Sequence, residues 1–349
     1  MKTLDLLALV AFLGVASPAV LAAQPGTDHG HGPAAHANAR LGKVTFPNSG
    51  GKQAQAPFLR GLALLHSFHY DDAAEAFRAA QRADAGFALA YWGEALTFAK
   101  LLWGLDNPVA ARAALSRLAP TPAARLALAR TDREKAYGTA VEALYQEADL
   151  QTRIRAYVES LRSLTAKNPD DLEARALLSI ALQMGGAGYS GAALTDRRME
   201  AIGLAQSIFA AHPDHPGGAH YLIHATDHPD FASRGIAAAR AYAKIAPDAE
   251  HALHMPSHIF VQIGAWDDAV ASNERAWAAS RAEVKARGSP NTDLSFHTLW
   301  WLQYGYLQQG RYAAAKAVVD SVRDLLQGMD WGKSDAIDAR FALTEFRFT

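Results

Sequence analysis

The chain has 349 residues, a formal net charge of −1 and no cysteine. Half of its residues are hydrophobic and a fifth are charged, the balance of a water-soluble globular domain long enough to bury a core unaided. The near-neutral charge gives no electrostatic footprint for nucleic acid, and the lack of cysteine excludes disulfides, thiolate metal ligands and covalent haem attachment.

The N-terminal stretch carries Lys2, an apolar run over Leu6–Ala16 and the small-residue sequence Val20-Leu21-Ala22. This is the layout of a signal peptide over residues 1–22, and the apolar run is short for a bilayer span. The competing reading is an uncleaved anchor. Cleavage implies a periplasmic or secreted protein with no stable membrane insertion afterwards. Residues 23–53 read as a flexible linker rich in Gly, Pro, Ala and Gln, with His29, His31 and His36 able to capture metal weakly.

A helical domain is expected over residues 54–349, because Ala, Leu, Arg and Glu dominate and strand-like alternation is absent. Helices are expected over Thr121–Ala140 and Leu150–Lys167. The Gly-rich run Gly185–Gly191 follows a helix with no strand before it, so it reads as a turn and not a phosphate loop. Another helix is expected to begin around Asp335–Glu345.

Breaks recur at Asn168-Pro169-Asp170, His212-Pro213-Asp214 and Ala246-Pro247-Asp248, and Pro213 and Pro247 are 34 residues apart. Gly264-Ala-Trp266-Asp-Asp-Ala269 is echoed by Gly310-Arg-Tyr312-Ala-Ala-Ala315. A third copy at His69-Tyr70-Asp-Asp-Ala73 puts Phe68 where glycine is expected. A period of 34 with these landmarks resembles the tetratricopeptide repeat family. The clearest repeats are 54–95, 172–215, 216–249, 250–283 and 296–326, with a weak match over 96–168. The resemblance implies an all-α, right-handed solenoid of antiparallel helix pairs with a concave groove that takes a protein or peptide partner.

Two stretches, HYLIHATDH (220–228) and HALHMPSH (251–258), carry three histidines each. With units starting at Pro216 and Glu250, His220 and His254 share the fifth place, and His224 and His258 the ninth. His251 is second in its unit, as is His297 in the unit near Phe296. Asp227 and His228 are twelfth and thirteenth. The second, fifth, ninth and thirteenth places are three or four apart and share one helix face. That this face lines the concave groove is what the resemblance implies.

Imidazoles at i, i+4, and on helices packed about 8–10 Å apart, can meet at one ion. His220, His224, His254, His258, His251, His228, His297 and Asp227 are therefore the candidate metal ligands. Pro256 bends or restarts the helix between His254 and His258. An imidazole-rich set suits Zn, Cu, Ni or Fe. His66 is not grouped with these ligands, and His212 and His215 are assigned to a loop between units. Glu94, Asp227 and Glu250 are the possible general bases if the groove is catalytic.

The chain further resembles a histidine-rich, exported bacterial subgroup of tetratricopeptide proteins. The stretches that carry this likeness are His66–Phe77, Ala90–Leu96, His220–Asp227 and His254–Phe260. Three functions stay open at this point: a metal-binding groove, a metal-independent peptide scaffold, and a metal-dependent enzyme.

Overall fold

The computed structural model describes residues 39–327 apart from 101, 103, 104 and 185. The signal-peptide reading, His29, His31, His36 and the helix expected near residue 335 lie outside the described residues. Those residues are α-helical with no strand among them. No described helix is long and apolar enough to cross a membrane.

The helices pack in chain order as antiparallel pairs, a tetratricopeptide-like solenoid. The first pair is α1 (Lys52–His66) and α2 (Tyr70–Ala83), followed by α3 (Ala88–Leu96). Next come α4 (Pro108–Ser116), α5 (Pro122–Ala127), α6 (Asp132–Leu144) and α7 (Leu150–Lys167). The regular pairs resume with α8 (Leu172–Gln183) and α9 (Gly191–Ala211), then α10 (Pro216–Thr226) and α11 (Ala232–Ile245). The third of these units divides its first helix into α12 (Glu250–His254) and α13 (Pro256–Gln262), which precede α14 (Trp266–Arg287). The series closes with α15 (Phe296–Gln308) and α16 (Tyr312–Leu326).

The breaks follow local chemistry. The helix expected over Thr121–Ala140 is two helices, because Thr121 and Thr131 each turn a side-chain oxygen onto the N–H three residues on and start a new helix. Asp149 and Asp171 cap α7 and α8 in the same way. Pro256 has no N–H to continue the ladder of α12, so α13 restarts there. The turn between paired helices needs a left-handed residue, and Gly264 and Gly310 both have φ of 70°. Phe68 takes the equivalent place with φ of 58°, which costs a non-glycine residue about 1–2 kcal/mol.

Helices pack closely where a side chain is missing. A Cβ on Gly93 would lie 2.5 Å from the Phe77 ring, and one on Gly138 would lie 2.3 Å from the Trp92 ring. These glycines set the spacing of α2, α3 and α6 around buried Phe58, Phe77, Phe87 and Trp92. A second apolar cluster, built on Phe296, Leu299, Leu302 and Val318, sits under α14 to α16.

Residues 39–51, read as part of a flexible linker, are packed. Leu41 and Phe46 are buried, Arg40 pairs with Asp248 at 2.9 Å, and Lys43 with Asp214 at 2.7 Å. The first repeat also reaches across to later ones. α1 packs on α10, and Asp72 of α2 pairs with Arg287 of α14 at 2.5 Å. The turn from α1 to α2 therefore sits against the histidine-bearing helices.

Candidate metal centre

The histidines form two triads. His220 and His224 of α10 meet His251 of α12, and His254 of α12 meets His258 of α13 and His297 of α15. Within each triad one nitrogen from every ring lies within 4.8 Å of the others.

Hydrogen bonds around the second triad fix the tautomers. Asn273 donates its amide Nδ2 to the Ala269 carbonyl at 2.9 Å, so its Oδ1 is an acceptor. His254 places Nδ1 2.6 Å from that Oδ1, so Nδ1 carries the proton. His258 places Nδ1 2.7 Å from Asp227 Oδ2, an acceptor-only carboxylate, so it too carries its proton there. Both Nε2 atoms are then lone-pair nitrogens, and they face each other at 3.1 Å.

Two lone pairs at that distance repel unless a proton or a cation sits between them. Burial, first of all, and the neighbouring imidazoles push His254 well below the ordinary histidine range, which disfavours the proton. His297, the third member, is pushed down to about 3 by burial and His258.

The first triad has a similar layout. His220 places Nδ1 2.6 Å from the carbonyl oxygen of His66, so its Nε2 is bare. That Nε2 stands 3.0 Å from His251 Nε2. Nε2 of His224 is buried with no hydrogen-bond partner among the described residues. Burial and neighbouring histidines push His220 and His251 well below the ordinary range. His224 falls to about 3 for the same reasons. An ion with bonds of 2.0–2.1 Å spaces its donors at about 2.9 Å for right-angle geometry and about 3.4 Å for tetrahedral geometry. Both observed separations fall in that window.

Aromatic rings enclose the triads. Phe68 lies with its ring centroid 4.3 Å from that of His220 and 5.3 Å from that of His251. Trp301 lies 4.4 Å from His258, with its own indole N–H buried and without a partner among the described residues. Tyr242 stacks on His220 at 5.0 Å. The left-handed turn at Phe68 thus aims an aromatic ring at the histidines where glycine would leave none.

Of the candidate ligands, His220, His224, His251, His254, His258 and His297 are brought together. Asp227 is placed behind His258: its two oxygens take the His258 N–H and the Gln262 amide, at 2.7 and 2.9 Å. Burial alone would raise its pKa, but those partners outweigh it and hold the carboxyl below the usual range. It orients the His258 ring and falls outside both triads. His228 stands apart in the turn after α10, where its Nδ1 accepts the Asp230 N–H and its side chain is half exposed.

Of the possible bases, Glu94 is buried and committed to Arg78, Gln81 and Arg117, far from an open role. Glu250 accepts from Thr298 at 2.8 Å, and burial pushes its pKa up to about 7.

A third group escaped the sequence reading. His66, Glu173 and His215 are all buried together. Glu173 accepts the His66 Nε2 proton at 2.7 Å and the His215 Nε2 proton at 3.0 Å. Tyr221 donates to His66 Nδ1 at 2.9 Å, and the Gly218 N–H donates to His215 Nδ1 at 3.1 Å. Every ring nitrogen is satisfied, so this group needs no ion. It locks α1 onto α10 and thereby sets the His66 carbonyl that orients His220. His66, kept apart from the other histidines in the sequence reading, belongs directly behind them.

No protein-family model matches the chain, and no curated protein matches it. Solved structures it resembles include the human IFIT1 dimer with PPP-AAAA, at 12% identity over 78% of this chain and 73% of that one, with a TM-score of 0.37. The TPR domain of P58(IPK) is 15% identical over 84% and 76% of the two chains, with a TM-score of 0.23. Naa15/Naa10 bound to HypK-THB is 12% identical over 85% and 70%, with a TM-score of 0.22.

Proposed function

We propose that this chain is an exported helical-repeat metalloprotein that holds a late first-row transition metal, Zn, Cu, Ni or Fe, on imidazoles from consecutive repeats. The reading is carried by one observation: His254 and His258 present bare Nε2 lone pairs to each other at 3.1 Å, each with its other nitrogen's proton committed elsewhere. Burial works against protonating His254, and a metal ion supplies the missing electrophile. Carboxylate–histidine and amide–histidine pairs behind the donors are the orienting partners a metal site uses. Export rests on the N-terminal sequence pattern.

The test is thermal unfolding of chelator-treated protein with and without each ion. An ion at about a hundred times its Kd adds ~2.7 kcal/mol. That raises Tm by roughly 4 °C for a domain of this size. The gain should vanish in the His224→Ala/His258→Ala double variant. Identical melting with every ion would remove the proposal.

A further inference from the structure

We infer that the six histidines form one paired centre for two ions, three imidazoles to each, with copper the ion of highest affinity. This rests on the metal reading above and adds number, pairing and ligand class to it.

The division into two follows from distances. A single ion with metal–nitrogen bonds of at most about 2.1 Å keeps all its donors within roughly 4.2 Å of one another. Among the six rings, the groups of three that meet a limit of that order, 4.8 Å, are His220/His224/His251 and His254/His258/His297. No larger histidine group meets that limit among the described residues. One ion cannot collect all six without rearranging the helices.

The pairing follows from how the triads interlock. His224 and His258 rings lie 6.2 Å apart across the boundary, and so do His251 and His254. Separations inside a triad reach the same values, 6.1 Å for His224–His251 and 6.2 Å for His258–His297. The five-residue helix α12 gives one ligand to each triad. α10 supplies two ligands to the first triad, while Asp227 at its C-terminus orients His258 in the second. Neither site can be assembled without the elements of the other.

The donor set names the ions. All six donors are imidazoles, and Asp227, the carboxylate bonded to His258, is engaged as an orienting group. Such a set suits late first-row ions, with Cu(II) highest in the general affinity order. Three protein donors also leave each ion a position for a small exogenous ligand.

Titration of the full, chelator-treated chain with Cu(II), read by copper content and by integrated electron paramagnetic resonance, tests this. Wild type should bind two coppers per chain, with a signal lost where a hydroxide bridges the Cu(II) ions, or dipole-broadened with a half-field transition where none does. His251→Ala and His297→Ala, at half-buried positions, should each bind one copper with a full one-spin signal; His251→Gln and His297→Gln serve if an alanine variant misfolds. One copper per wild-type chain would overturn the paired centre and leave the metal reading standing. Two coppers with a full signal that shows neither dipolar broadening nor a half-field transition would mean separate sites and overturn the pairing. No bound copper, zinc, nickel or iron would remove the underlying metal reading itself.

Discussion

Replacing Asp227 with asparagine isolates the orienting role of that carboxylate. Asp227 takes the His258 N–H on one oxygen and the Gln262 amide on the other. Asparagine keeps the shape but has one acceptor, so it can serve only one of these donors. Gln262 is half-buried and can turn to water; His258 cannot without presenting its N–H to the metal side. The oxygen should stay on His258, now as a neutral bond instead of a charge-assisted one. Loss of an orienting partner behind a metal-bound histidine typically costs 10–100-fold in affinity, or about 1.4–2.7 kcal/mol. The stability of the metal-free protein should move by less than about 1 kcal/mol, because no buried donor is stranded. Competition against a chromophoric chelator reads the first quantity, and denaturant unfolding in chelator reads the second. Metal affinity within twofold of wild type would refute the assignment of Asp227 as the group that aims His258.

Three further outcomes follow from the packing. Glu173 has its pKa lowered from 4.5 to about 2: burial raises it, and the bonds from His66 and His215 more than offset that. A depressed folded-state pKa stabilises above the unfolded value and is lost as pH falls toward the folded one. Wild-type stability should therefore decline as pH drops below about 4.5, and Glu173→Gln should lose roughly 3 kcal/mol at pH 7 and show a flatter acid limb in denaturant titrations. Phe68→Gly should be more stable than Phe68→Ala by about 1 kcal/mol, since only glycine accepts φ of 58° freely, and both should bind metal more weakly than wild type; an alanine variant as stable as the glycine one would contradict the strained turn. Gly138→Ala should destabilise by about 1–3 kcal/mol through its clash with Trp92, whereas Gly203→Ala, with nothing within 4 Å, should stabilise by about 0.5–1 kcal/mol; calorimetry separates the two.

Much of this architecture is legible in the sequence because it is local. The spacing of Pro213 and Pro247 recurs in the helix starts, α10 at Pro216 and α12 at Glu250, while α15 begins at Phe296 after the longer helix α14. The turn landmark holds even where Phe68 replaces glycine, since the backbone there is left-handed all the same. What sequence spacing could not reveal is what depends on distant packing. Glu173 joins His66 and His215 because α1 and α8 both meet α10. No period links residues 66, 173 and 215. Asn273 orients His254 from across the α12–α14 interface, and Asp227 reads as a ligand until the direction of the His258 ring is known. The segment carrying Arg40 and Leu41 looks like linker by composition, because a few anchoring residues suffice to hold it. Thr131 is a strong cap, and its side chain ends one helical run and starts α6 inside a stretch whose composition is helical throughout.

The central claim is that the imidazole nitrogens gathered on α10, α12, α13 and α15 hold transition-metal ions. Its most direct test is elemental analysis of the untagged protein, purified without chelator, beside the His224→Ala/His258→Ala variant. The account predicts two ions per wild-type chain and a clear loss in the variant. Absence of bound metal in wild type, persisting after reconstitution with Zn, Cu, Ni and Fe(II), would contradict it.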